Sequence, residues 1–161
     1  MAELSVGDRV LVGDNSYSEV YMFSHQDNTA VSTFVNIATS ANQTITLSPN
    51  HYIYANSKLV AASAVVLGDV LIATDGSEVT VVAVSPERNT GLFNPHTLQG
   101  DIVVNGVKAS SYTAVVAPTL AHSLLWPVRM LYSLGYDIVN GAFEEGSEVL
   151  AAIAPRGRKA Y

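Results

Sequence analysis

The chain has no cysteine, which excludes disulfides, thiolate catalysis by its own side chains and cysteine-based zinc sites, and leaves the redox compartment open. Charge is scarce as well: 14% of the 161 residues are charged, for a net −6 and a pI near 5.0. Such a chain offers no basic stripe to neutralise phosphates, so the expectation is no nucleic-acid partner. The only cationic cluster, Arg156, Arg158 and Lys159, reads as a solvated tail. Apolar runs are broken by Ser, Gly, Asp or Pro before they reach the roughly 18 residues of a membrane-spanning helix, which argues for a soluble protein and against a membrane partner. Residues 1–8 carry neither a basic start nor the apolar stretch of a signal peptide.

What is present is apolar: 48% of the residues, enough to bury the core of one compact domain. Short runs rich in Val, Ile, Thr and Tyr, separated by Asn, Asp, Gly and Ser, predict a mostly antiparallel all-β fold. The predicted strands are 9–12, 18–24, 33–37, 44–47, 51–55, 69–74, 77–85, 91–93, 101–104 and 107–115. Asp75-Gly76 and Asn105-Gly106 predict two-residue hairpin turns, whose central positions both want positive φ. Over 119–134 the pattern changes, because Leu120, Leu124, Val128 and Leu131 fall at helical spacing. Pro127 limits that segment to a kinked or two-piece helix. The predicted division is a β domain over 1–117, a helix over 118–135 packed on or beside it, and a tail over 136–161.

An internal repeat runs through the β region. Leu4-Ser5-Val6-Gly7-Asp8-Arg9-Val10-Leu11-Val12 resembles Val65-Val66-Leu67-Gly68-Asp69-Val70-Leu71-Ile72-Ala73, a turn feeding a strand in both places. Each copy continues to a Ser-Glu-Val and then to a Pro/His element, Pro49-Asn50-His51 in the first and Pro95-His96 in the second. Two copies predict two halves related by a pseudo-two-fold axis, since a solenoid needs at least three.

The same residues resemble the autoprocessing domains of the Hedgehog family, relatives of inteins. Glu3 to Leu11 is similar to their opening strand, and Tyr17-Ser18-Glu19-Val20-Tyr21-Met22-Phe23-Ser24-His25 to their second block. Thr46-Leu47-Ser48-Pro49-Asn50-His51 resembles the Thr-x-x-His block shared with inteins. Residues 95–112 resemble the late Hedgehog block, and Leu120-Ala121-His122 with Pro127-Val128-Arg129 the helix after it. The resemblance implies the Hint fold, a pseudo-two-fold all-β horseshoe that brings the chain's start beside the Thr-x-x-His block, followed by a helical segment. It also implies a chemistry in which a cysteine at the domain's first position attacks the preceding peptide carbonyl to give a thioester. The partner so implied is the domain's own N-terminal flanking polypeptide, in cis, and the implied setting is the secretory pathway or cell exterior. Because the peptide bond is resonance-stabilised, a neighbouring group must protonate the departing nitrogen, and histidine suits that work.

On this resemblance His51 takes the place of the block's histidine, and Ser48 stands at its usual threonine, where a hydroxyl still offers a hydrogen bond. His25 stands where sterol-transferring members carry an aspartate that activates the sterol hydroxyl. An imidazole does not reproduce a fixed carboxylate, so sterol transfer is not expected, and Asp27 could substitute only if the chain around it reorganised. His96, read as a turn residue after Pro95, and His122, read on a helix face, are expected to be structural. Ser111 stands where the family usually has cysteine, and a hydroxyl there, in a buried strand, needs a partner. Four histidines without cysteine or metal-ligand spacing predict no metal and no cofactor. Ser, His and Asp are abundant, but abundance does not make a triad, and no Gly-x-Ser-x-Gly is present.

The family's cysteine-bearing strand precedes the block that begins here at Glu3, so the expectation is a domain that lacks its nucleophile and is inactive as it stands. Whether to class it as a self-processing cysteine-type peptidase therefore stays open. The alternative is a non-catalytic Hint-fold module that docks a partner through an exposed sheet edge or through the apolar stripe of the helix.

Overall fold

The computed structural model describes residues 1–113 and 125–135. They fall into two units, Met1–Ala114 and Val115–Tyr161. In the first, nine strands follow one another: β1 (Arg9–Gly13), β2 (Ser16–Thr39), β3 (Thr44–Leu47), β4 (His51–Ala55), β5 (Lys58–Ala61), β6 (Val70–Ile72), β7 (Glu78–Thr97), β8 (Asp101–Val104) and β9 (Val107–Thr113). Every pairing is antiparallel, in the order β1-β2-β7-β6-β4-β9-β8, with β3 added to β2 and β5 to β4. The core gathers inward-facing residues from both halves, among them Ile37, Ile45, Ile53, Leu71, Val81, Ile102 and Val107. This is the all-β architecture that the strand pattern predicts.

The repeat appears as duplicated hydrogen bonding. In the first copy Asp8 accepts the Ser5 N–H at 2.8 Å, Gly7 N–H donates to the Val20 carbonyl, and Val20 N–H donates back to the Asp8 carbonyl, both at 2.8 Å. In the second copy Asp69 accepts the Val66 N–H at 2.9 Å, Gly68 donates to Val81 at 3.0 Å, and Val81 donates back to Asp69 at 2.8 Å. Both turns pass through positive φ, +94° at Gly7 and +88° at Gly68, a region where a Cβ meets the backbone. Each turn thereby docks the start of a short strand, β1 or β6, onto the long strand that follows it.

The long strands depart from the sequence expectation. The predicted runs 18–24 and 33–37 are parts of one strand, β2, and 77–85 and 91–93 are parts of β7. Bulges let the ladder continue through polar residues, with register shifts at Val20/Met22, Phe23/His25, Asp27/Val31 and Ala38/Thr39. Asp27 secures one of them by accepting the Thr29 N–H and hydroxyl at 2.8 Å and the Ala30 N–H at 3.0 Å. Pro95 and His96 consequently lie in β7, opposite Phe23 and Met22, and the expected turn at His96 is not there. The repeat therefore ends before the Pro/His elements: Pro49 and Asn50 form a turn, whereas Pro95 is within a strand. Pro86 is tolerated because β7 meets β6 only at Glu78–Thr80, so its missing N–H falls on an unpaired edge.

Turn chemistry is confirmed at Asn105-Gly106, where φ is +49° and +85° between the paired Val104 and Val107. At Asp75-Gly76 only the glycine has positive φ. The loop there is longer, closed by Ala73 N–H to Ser77 O at 2.8 Å and by the Asp75 carboxylate accepting from Ser77. The second unit contributes the helix α1 (Trp126–Ser133), with Pro127 in its first turn, where the absent N–H costs nothing. His122, Leu120 and Leu124 lie outside the described residues. Among those described, no helix is long and apolar enough to cross a membrane.

Candidate functional site

His51 opens β4 directly after the turn Ser48-Pro49-Asn50, which its own N–H closes on the Ser48 carbonyl at 2.9 Å. Pro49 cannot donate to a ladder, so the chain turns here rather than extending β3. Across the sheet His51 faces Thr113 of β9, and its Nε2–H donates to the Ser110 carbonyl at 2.7 Å. That acceptor fixes the tautomer and leaves Nδ1 as the position that exchanges a proton. Burial lowers the pKa, and the Ser110 carbonyl offsets part of the shift. A lowered pKa makes the imidazolium a readier proton donor.

His51 and Ser48 line a cavity of about 210 Å³ whose walls include Phe34, Leu92, Phe93, Ile102 and Val104. Met1 lines the same cavity, so the first residue of the chain lies at the Thr-x-x-His block. The Ser48 side chain forms no hydrogen bond among the described residues, which leaves its hydroxyl available to whatever enters.

The structure does not bring His25 to that cavity. It is exposed in β2, opposite Asn94, and Asp27, the conceivable substitute, is held by Thr29 and Ala30, which lower its pKa. Ser111 finds the partner that burial requires: its hydroxyl lies 3.2 Å from the Thr97 hydroxyl, which donates to the Asp101 carbonyl at 2.7 Å.

His96 holds a more elaborate position than the sequence suggests. It is 5% exposed, between the rings of Tyr21 and Tyr112 at 6.3 and 5.4 Å. Its Nε2 lies 2.8 Å from the Ser24 Oγ and 3.3 Å from the Asn94 Nδ2. Burial, and secondarily the charge of His51, push its pKa down to about 4. Asn94 carries no motif, and although Ser24 falls in the second block and His96 in the late one, only the pairing of β2 with β7 unites the three. No group of three or more His, Cys, Asp or Glu among the described residues could hold a metal ion.

A family model for the Hint module matches residues 1–153. The chain belongs to the Hint module family. Its relatives make it a Hint domain of the Hedgehog type: it is 32% identical over 137 residues to Warthog protein 1 of Caenorhabditis elegans and 34% identical over 148 residues to protein hedgehog of Drosophila virilis. Those matches cover 78% and 83% of this Hint chain but 28% and 31% of the relatives, so it spans less than a third of their length. Among solved structures the gp41-1 intein is similar in fold, with a TM-score of 0.61 over 68% of this chain and 84% of the intein, at 15% identity.

Proposed function

We propose that this Hint domain severs the peptide bond joining it to a polypeptide on its N-terminal side, by an acyl shift to a thioester followed by release. The observation that carries the reading is the cavity in which Met1, Ser48 and His51 meet. In this reading the Nδ1–H of His51 protonates the departing amide nitrogen while the Ser110 carbonyl holds the ring by Nε2, and the Ser48 hydroxyl steadies the scissile region. No cysteine occurs among the 161 residues, so the thiol has to come from outside them, and the chain by itself is inert.

The thioester is expected to end in hydrolysis or thiolysis. Sterol attachment would instead require a general base that activates a sterol hydroxyl. The exposed His25 supplies no carboxylate to activate one.

The experiment is time-resolved mass spectrometry of two N-terminal fusions. The 161-residue chain fused directly should release nothing, with or without dithiothreitol, whereas the same chain preceded by a cysteine-led family strand should release the partner in a thiol-dependent way. Release from the direct fusion that is accelerated by thiol would contradict the reading, because thiols act only on a thioester already formed.

A further inference from the structure

Outside the cavity, a hydroxyl of β2 and a buried imidazole of β7 are joined across neighbouring strands. The Ser24 Oγ lies 2.8 Å from the His96 Nε2, and the Asn94 Nδ2 donates to the same oxygen at 2.7 Å. With the Asn94 amide in this orientation, which leaves its Oδ1 without a partner, its nitrogen also faces Nε2 at 3.3 Å; this assigns Nε2 as the acceptor of the Ser24 hydroxyl and the ring proton to Nδ1. His96 is 5% exposed, and its Nδ1 has no hydrogen-bond partner. Ser24, in contrast, is exposed. A nucleophile within hydrogen-bond reach of a base is the core of the arrangement that covalent catalysis uses; here the imidazole is held between the rings of Tyr21 and Tyr112 rather than by a group on Nδ1.

We propose that Ser24 is a nucleophile for activated acyl groups, thioesters in particular, with His96 as its general base. Its Oγ attacks the thioester carbonyl carbon while the hydroxyl proton passes to the His96 Nε2. The C–S bond then breaks and the leaving thiolate takes that proton, giving an acyl ester on Ser24 and a free thiol. Water, deprotonated by the same nitrogen, hydrolyses the ester to a carboxylic acid and restores Ser24.

The substrate class follows from what stands behind the base. No carboxylate meets Nδ1 among the described residues; the groups facing the ring are Tyr21, Tyr112 and, through its charge, His51. An imidazolium formed there is not compensated, so His96 is a weak base, unprotonated at neutral pH. Such a base cannot drive attack on a resonance-stabilised amide, but a thioester, with its better leaving group, needs less help. The inference rests on the autoprocessing reading only for the natural source of a thioester.

The test supplies the thioester in trans to the 161-residue chain. Incubation with phenyl thioacetate should put an acetyl mass on the peptide containing Ser24, faster than on the exposed Ser40 and Ser57, with a burst of thiophenol. Ser24→Ala should abolish the burst, and His96→Gln should slow it on the order of 10²-fold. Should His96→Gln fail to fold in a circular-dichroism melt, the wild-type pH profile decides, because a base with a pKa of about 4 keeps the rate level from pH 8 to about pH 5. Acetylation of Ser24 no faster than of Ser57, acetylation unaffected by His96→Gln in a folded variant, or a rate that falls through pH 6.5 would overturn it. Normal cleavage of a cysteine-led fusion with Ser24 unacetylated would refute this proposal alone and leave the autoprocessing reading intact.

Discussion

The two copies of the lead-in turn share the same aspartate and glycine hydrogen bonds, yet the histidines reached from them are treated in opposite ways. Beyond the first copy the chain turns at Pro49 and presents His51 at a cavity, with Nε2 tied to a backbone carbonyl. Beyond the second it runs straight through Pro95 within β7 and encloses His96 between two tyrosine rings. Duplication supplied the scaffold, and the chemistry came from where the halves part. Identical turns are explained by identical docking of a short strand on a long one, and divergent sites by the different fate of a single proline in each half.

The largest expected effect bears on the second half. His96 is neutral when folded, with a pKa of about 4 against 6.5 unfolded. Between those values the unfolded chain binds more protons, so stability falls as pH drops from about 6.5 and levels off below about 4. Full traversal of that window costs roughly 3 kcal/mol. Urea melts from pH 7 to 4 should show the loss, and His96→Gln should flatten most of it, the remainder coming from His51, whose pKa is lowered in the same direction. A wild type equally stable at pH 7 and pH 4 would show that the two histidines do not differ from solvated ones.

A smaller and symmetric effect is expected at the turns. Nothing lies within 4 Å of a Cβ built on Gly7 or Gly68, so Gly7→Ala and Gly68→Ala should each cost only the positive-φ penalty, about 1–2 kcal/mol. Unequal thermal shifts beyond experimental error would break the equivalence of the copies. The least effect separates the two aspartates. Asp69 also accepts the Asn56 Nδ2 at 2.7 Å, and Asn56 accepts the Val70 N–H at 3.0 Å, a brace with no counterpart at Asp8 among the described residues. Asp69→Ala should therefore lower the melting temperature more than Asp8→Ala, by about one hydrogen bond's worth, ~1 kcal/mol.

The strands legible in the sequence are short apolar runs closed by strong punctuation. Thr44–Leu47, His51–Ala55 and Asp101–Val104 coincide with the predicted runs because proline, Asn-Gly or polar clusters end them. β2 and β7 were read as fragments because bulges carry a ladder through residues such as His25, Asp27 and Asn89, which taken singly signal loops. β5 was missed because its hairpin turns on Asn56-Ser57, both at positive φ, without the glycine that marks such turns. Of the site, His51 and Ser48 could be found through their block. His25 could not be ruled away from the cavity, since a bulge shifts the register at Phe23/His25. Ser24 falls in the second block and His96 in the late one, but no block joins them or includes Asn94, and only the pairing of β2 with β7 makes the three neighbours.

The contrast among the histidines is tested most directly by the rate of partner release from the chain preceded by a cysteine-led strand, followed by mass spectrometry in His51→Ala and His25→Ala, with a circular-dichroism melt of each. Loss of the proton donor to the amide nitrogen predicts a fall on the order of 10²-fold or more for His51→Ala and no change for His25→Ala. Equal losses in two folded variants, or release that survives His51→Ala, would contradict the account.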